Sequence, residues 1–141
     1  MIDCGEGAQI QLRKYRLSLA KINHVFISHM HGDHVFGLFG LLSSLGLMGR
    51  KADLNIYGPE KIEKMLDSHL DFFGPLPYKL AFIKAEHGQI IYEDGKAEVK
   101  AFSLMHRTET YGYLFREKNK LLNLDSLCRR AASASTRALM S

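Results

Sequence analysis

Four side chains that can bind a metal ion or transfer a proton lie within the segment SHMHGDHVFG, residues 28–37: His29, His31, Asp33 and His34. The apolar stretch HVFIS before them predicts a short buried strand. Alternation along an extended backbone directs the first two histidines to the same side, so that both can reach one metal ion. Because the chain must bend at Gly32, the other two residues fall beyond that bend. This pattern favours two adjacent cations, of which zinc best suits the His and Asp ligands, and such a pair can promote displacement at a phosphodiester.

The alternative interpretation of residues 28–37 is a polar surface loop that happens to be rich in histidine. The histidines outside this segment have simpler interpretations. His106 ends the predicted strand AEVKAFSLMH. It can either approach the first loop from a neighbouring strand or cap its own strand, and its position leaves both open. We interpret His24 as structural, and we expect His69 and His87 at the surface.

Length and composition indicate one globular domain. The chain has 141 residues, of which 46% are hydrophobic and 24% charged, with a formal net charge of +4. That charge indicates only a mild preference for anionic partners. The two cysteines form no disulfide framework, and we find neither a signal peptide nor an apolar segment long enough to cross a membrane. We therefore expect a cytoplasmic protein.

Strands and helices alternate in the first half of the chain, and a run of strands follows. The helices are expected over AQIQLRKYRL, residues 35–48 and PEKIEKMLDSHLDFF, and the strands over HVFIS, DLNIYG, LAFIKAE, QIIYED, AEVKAFSLMH and YGYLFREK. CGEGAQ is interpreted as a glycine turn. The pattern predicts an α/β (α+β) protein with a mixed, mostly antiparallel sheet and flanking helices.

The motif HxHxDH after a strand resembles the metallo-β-lactamase superfamily. With MIDCGEGAQIQLRK, LNIYGPEKIEKML and LMHRTETYGYLFREK, it resembles ribonuclease Z, the endonuclease that trims the 3′ end of precursor tRNA. The resemblance extends from residue 1 to about residue 118. It implies an αββα sandwich, a zinc-dependent phosphodiester hydrolysis by an activated water, precursor tRNA as the substrate, and a homodimer.

The resemblance also implies roles for individual residues. His29, His31 and His106 correspond to the ligands of the first zinc, whereas Asp33 and His34 begin the second site. Asp33 corresponds to the proton acceptor for the attacking water. The family completes its second site with a later histidine and a bridging aspartate, but after His106 this sequence has no histidine, and its only aspartate is Asp125.

The sequence is therefore interpreted as the N-terminal half of the fold. Residues 1–118 are expected to form that half, and residues 119–141 a helical tail that continues the same domain. We expect about one bound zinc per chain instead of two. Because the other half of the sandwich is missing, we also expect the apolar strands to need cover from a second copy, in a homodimer.

Two further questions stay open at the level of the sequence. Arg13, Lys14 and Arg16 can contact tRNA phosphates, or can form an ordinary solvated helix face. The alternatives to the tRNA endonuclease are a related hydrolase of small esters or cyclic nucleotides, and an inactive metal-binding half-domain.

Overall fold

A computed structural model of the protein describes residues 1–118, so that the expected helical tail, 119–141, lies outside the described residues. Its elements in chain order are α1 (Ala8–Lys14), a 3₁₀ turn (Leu19–Lys21), β1 (His24–Phe26), α2 (Gly32–Val35), α3 (Gly37–Leu47), β2 (Leu54–Gly58), α4 (Lys61–Phe73), β3 (Leu80–Lys84), β4 (Ile90–Glu93), β5 (Ala97–Ser103) and β6 (Tyr111–Glu117).

The first three strands form a parallel sheet in the order β1–β2–β3. Parallel neighbours require a crossover connection, and α2 with α3 and then α4 supply the two crossovers. Val25 pairs with Ile56, and Ile56 with Phe82. On the far side of β1, Ile2 makes an isolated parallel bridge to Phe26. The histidine loop therefore begins at the carboxyl end of β1, at the carboxyl edge of this sheet.

The last three strands form an antiparallel sheet in the order β4–β5–β6. The tight turn between β4 and β5 is held by the Asp94 carboxylate, which accepts hydrogen bonds of 2.7 Å from the N–H groups of Lys96 and Ala97. β5 and β6 pair from Ala97 with Glu117 to Ser103 with Tyr111. The loop between these two strands carries His106.

Strands β1 and β2 of the parallel sheet are covered on both faces, whereas β3 is only partly buried. Val25 and Ile27 pack with Leu38 and Leu41 of α3 in a core on the helical side. Phe26 points the other way, where it packs with residues of the antiparallel sheet in a second core. The molecule therefore has three layers, namely helices, parallel sheet and antiparallel sheet.

The expected α/β class with helices flanking a sheet is confirmed, and the strands divide evenly between one parallel and one antiparallel sheet.

The reason for expecting a partner copy was wrong in part: HVFIS and LNIY are covered by this chain's own helices and second sheet. The helix expected over residues 35–48 corresponds to α3, and it begins two residues later because the Gly37 N–H donates to the Cys4 carbonyl at 2.8 Å, which separates α3 from the short α2. No helix within residues 1–118 is long and apolar enough to cross a membrane.

Candidate metal centre

Three histidines from two loops meet where the sheets come together. His29 and His31 lie in the loop after β1, and His106 lies in the loop between β5 and β6. One ligand nitrogen of each lies within 4.8 Å of those of the other two. The His106 ring centre is 5.2 Å from that of His29 and 5.4 Å from that of His31. The structure thus brings together the three residues that the resemblance assigns to the first zinc.

The surroundings of His29 favour the neutral form of its ring, which a ligand bond requires. Its side chain is buried, whereas His31 and His106 are exposed. Its Nδ1 lies 2.9 Å from the Ser28 hydroxyl, and its Nε2 lies 2.9 Å from His31 Nδ1. Burial first, and then the neighbouring imidazoles, lower the pKa of His29 from its ordinary value. A lowered pKa keeps the ring neutral, which is the form that binds metal.

Asp33 and His34 form a separate pair beside the three histidines. Both belong to the short helix α2, and the Asp33 side chain is 80% exposed. Asp33 Oδ2 is 3.4 Å from His34 Nε2. Within the part of the chain that the structure describes, no further His, Cys, Asp or Glu joins this pair to make a three-ligand group.

Asp3 was not singled out from the sequence, but its carboxylate lies at the centre of the site. Its Oδ1 accepts a 2.7 Å hydrogen bond from the Ser28 N–H. Its Oδ2 lies 3.0 Å from the Ser28 hydroxyl and 2.7 Å from His34 Nδ1. The only signal in the sequence is an acid directly before the glycine turn CGEGAQ, far from Ser28 along the chain.

The glycine turn around Cys4 fixes the histidine loop through the backbone. The Cys4 N–H donates to the His34 carbonyl at 2.7 Å. A Cβ atom at Gly5 would lie 2.0 Å from the Asp33 carbonyl oxygen, and one at Gly37 would lie 2.0 Å from the Gly5 carbonyl oxygen. Only glycine permits so close an approach, so these positions determine where Asp33 stands.

Of the other histidines, His24 and His87 lie as expected, whereas the surface position expected for His69 is wrong. His24 packs against Tyr92 and lies 3.1 Å from the Tyr57 hydroxyl, in keeping with a structural role. His87 is exposed as expected. His69 is not at the surface: it is 1% exposed and lies between Phe39 and Phe73. Neither of its ring nitrogens has a hydrogen-bond partner among the described residues.

The basic side chains at the end of α1 are all exposed. Arg13 and Lys14 form its last turn, and Arg16 follows with a positive φ of 56°. Exposure of this kind suits both a solvated helix face and contact with phosphate.

Comparison with known proteins agrees with this geometry. The protein-family model described as "Anti-Pycsar protein Apyc1" matches residues 1–73. Ribonuclease Z of Bacteroides fragilis is 50% identical over 121 residues, which are 84% of this chain and 40% of that protein. Ribonuclease Z of Prochlorococcus marinus is 40% identical over 125 residues, 85% of this chain and 40% of that protein. The chain thus spans about two fifths of the length of these relatives.

A solved structure shows the same arrangement of elements. The human short form of tRNase Z superposes with a TM-score of 0.73 at 30% identity, covering 84% of this chain and 54% of that one. The metallo-β-lactamase fold protein YhfI from Bacillus subtilis shares the fold, with a TM-score of 0.64 at 21% identity. The chain therefore belongs to the family described as Anti-Pycsar protein Apyc1 and is a homologue of ribonuclease Z with the metallo-β-lactamase fold.

Proposed function

We propose that this chain provides the three-histidine part of a zinc-dependent endoribonuclease that processes the 3′ end of precursor tRNA. The observation that carries the proposal is the convergence of His29, His31 and His106 beside the exposed Asp33 carboxylate. The similarity to ribonuclease Z supports RNA as the substrate. Residues 1–118 are proposed as the functional unit.

The donor atoms fit zinc. Three imidazole nitrogens and an open position are a ligand set that zinc accepts in catalytic sites. A zinc ion would supply a Lewis acid that activates water and offsets the charge that develops on the phosphodiester. Two ligands hold a divalent ion poorly, so the Asp33–His34 pair is expected to add little binding by itself and the chain to hold about one zinc.

Side chains of the protein are proposed to transfer the proton and to contact the substrate. Asp33 is proposed to accept the proton of the attacking water, because its carboxylate is exposed and stands next to His34. Arg13, Lys14 and Arg16 are proposed to contact tRNA phosphates, which would make binding weaken as salt is added. Maturation of tRNA places the protein in the cytoplasm under this proposal.

A homodimer is proposed from large apolar side chains that the described part of the chain leaves exposed. Leu47 ends α3 and is 90% exposed, and Phe36, directly before α3, is 69% exposed. Phe72 and Phe73 end α4 and are 83% and 69% exposed. Large apolar side chains exposed on the surface are candidates for an association site. Light scattering at micromolar concentration is expected to give twice the mass of one chain, and a stable monomer would contradict the proposal.

The test uses the 141-residue chain and a chimera. In the chimera, residues 1–118 replace the matching segment of Bacteroides fragilis ribonuclease Z. Both are assayed on a precursor tRNA with a 3′ extension, and the cut position is mapped. We expect the chimera to cut at the 3′ processing position and to lose this activity on zinc chelation.

A small chromogenic phosphodiester serves as the competing substrate. Hydrolysis of that compound without cleavage of precursor tRNA would favour a small-molecule hydrolase instead. A chimera that binds zinc but cleaves neither substrate would refute the enzymatic proposal.

A further inference from the structure

The Ser28 hydroxyl lies between the two groups of metal-binding side chains. Its Oγ is 3.0 Å from Asp3 Oδ2, 2.9 Å from His29 Nδ1 and 3.3 Å from His34 Nδ1. His29 belongs to the three-histidine cluster, and His34 to the pair with Asp33. The hydroxyl therefore contacts a histidine from each group, and the Asp3 carboxylate, which it also contacts, lies 2.7 Å from His34 Nδ1.

The protons in this network can be assigned from the chemistry of the groups. An ionised carboxylate only accepts hydrogen bonds, so the 2.7 Å contact between Asp3 Oδ2 and His34 Nδ1 requires the proton on Nδ1. The Ser28 hydroxyl also donates to Asp3 and then has only acceptor capacity left. His29 Nδ1 must therefore donate to Ser28 Oγ. Both histidines are left with an unprotonated Nε2.

We propose that Asp3 and Ser28 form one positioning unit that sets the tautomer of both His29 and His34. The unit presents the Nε2 atom of His29 to the three-histidine site and leaves that of His34 as a second ligand atom beside Asp33 Oδ2, 3.4 Å away. Neither residue contacts the reacting atoms. The inference rests on the proposed metal binding and is independent of the proposed RNA substrate.

The backbone around the unit is fixed independently of the Ser28 hydroxyl. The Asp3 N–H donates to the Phe26 carbonyl at 2.8 Å, and the Tyr111 N–H donates to the Ser28 carbonyl at 2.9 Å. The Ser28 N–H donates to Asp3 Oδ1 at 2.7 Å. Asp3 itself has a φ of 50°, a strained conformation that surrounding contacts must hold. Removal of the hydroxyl alone should therefore leave the loop in place.

The first experiment compares Ser28→Ala, Ser28→Thr and Ser44→Ala with the parent protein. Ser44 Oγ donates a 2.7 Å hydrogen bond to Gln9 Oε1, between α3 and α1, so its replacement removes a similar bond far from any histidine. Zinc affinity is measured by competition with a chromogenic chelator. We expect Ser28→Ala to weaken zinc binding tenfold to a hundredfold. Ser28→Thr and Ser44→Ala should stay within about twofold of the parent, since each keeps the Ser28 contacts.

The second readout is the tautomer itself, from long-range ¹H–¹⁵N correlation spectra of the imidazole rings in the zinc-free protein at pH 8. The parent should show His29 and His34 protonated at Nδ1. Ser28→Ala should release His29 to a mixture of tautomers and leave His34 unchanged. Asp3→Asn, which can present an N–H group to the network, should disturb both rings.

Three results would overturn the inference. The first is a His29 ring in the parent that is protonated at Nε2. The second is Ser28→Ala with unchanged zinc affinity, and the third is Ser28→Ala with weaker affinity but an unchanged His29 tautomer, which would indicate a purely structural hydroxyl. If Asp3→Asn fails to fold, the Ser28 variants still decide the question. None of these measurements involves RNA cleavage, so their failure is distinct from failure of the proposed function.

Discussion

Replacement of Gly5 by alanine should displace the site without touching any of its side chains. The new Cβ would lie 2.0 Å from the Asp33 carbonyl oxygen and 2.9 Å from its carbon, whereas ordinary contact begins at 3.4 Å. Because both are backbone atoms, no side-chain rotation relieves the clash. The turn and the histidine loop must move apart by about 1.4 Å at this point. Overpacking of this kind costs about 1–3 kcal/mol of the free energy of unfolding.

Two measurements test this expectation, with Gly95→Ala as the matched control. A Cβ at Gly95 meets nothing within 4 Å, and its φ is not positive. Denaturant unfolding of the zinc-free proteins should show the loss for Gly5→Ala and a change within about 0.5 kcal/mol for the control. Zinc titration should show weaker binding for Gly5→Ala alone. If Gly5→Ala were as stable as the parent and bound zinc equally well, the close backbone packing would not position the site.

Three other substitutions have separate expected outcomes. His106→Ala should reduce zinc content from about one ion per chain to a small fraction, as measured by metal analysis, whereas His87→Ala should not; equal retention would show that His106 is no ligand. Asp33→Ala in the chimera should lower precursor tRNA cleavage at least about a hundredfold in single-turnover assays, and activity within tenfold would refute its proton-transfer role. His69→Leu should stabilise the zinc-free protein by about 1–3 kcal/mol, since its two buried ring nitrogens have no hydrogen-bond partner within residues 1–118. Burial lowers the pKa of His69, so the unfolded chain binds a proton at this residue more readily than the folded chain does. The free energy of unfolding should therefore fall as the pH drops below about 6.5. Unfolding curves at pH 5.5 and 7.5 should show that the leucine variant has lost part of this pH dependence.

The positions of His29 and His31 could be predicted because they depend on local rules. A short apolar strand followed by polar ligands and a glycine places those ligands at the end of a buried strand. The position of His106 relative to these two residues could not be predicted from its place in the chain alone. Its approach depends on how β5 and β6 lie against the parallel sheet, and that packing is not encoded in any short segment.

The features that the sequence analysis missed have different physical causes. Asp3 reaches Ser28 only through the fold, so no spacing pattern reveals the contact. His69 could have been found: it follows Ile62 and Leu66 at helical spacing on the buried face of α4, and its polarity hid that pattern. The division into two sheets depends on which strands pair, which alternation within a strand does not specify.

The three-histidine cluster joins loops that belong to different sheets and that lie far apart in the chain. A metal ion held by His31 and His106 would therefore act as a cross-link. Because only the native pairing of the sheets assembles the ligands, zinc would bind the folded chain and not the denatured one, and it would stabilise the fold by an amount that rises with the logarithm of its free concentration. The abundance of intact protein in a cell would then depend on the supply of metal, even where catalysis is not required.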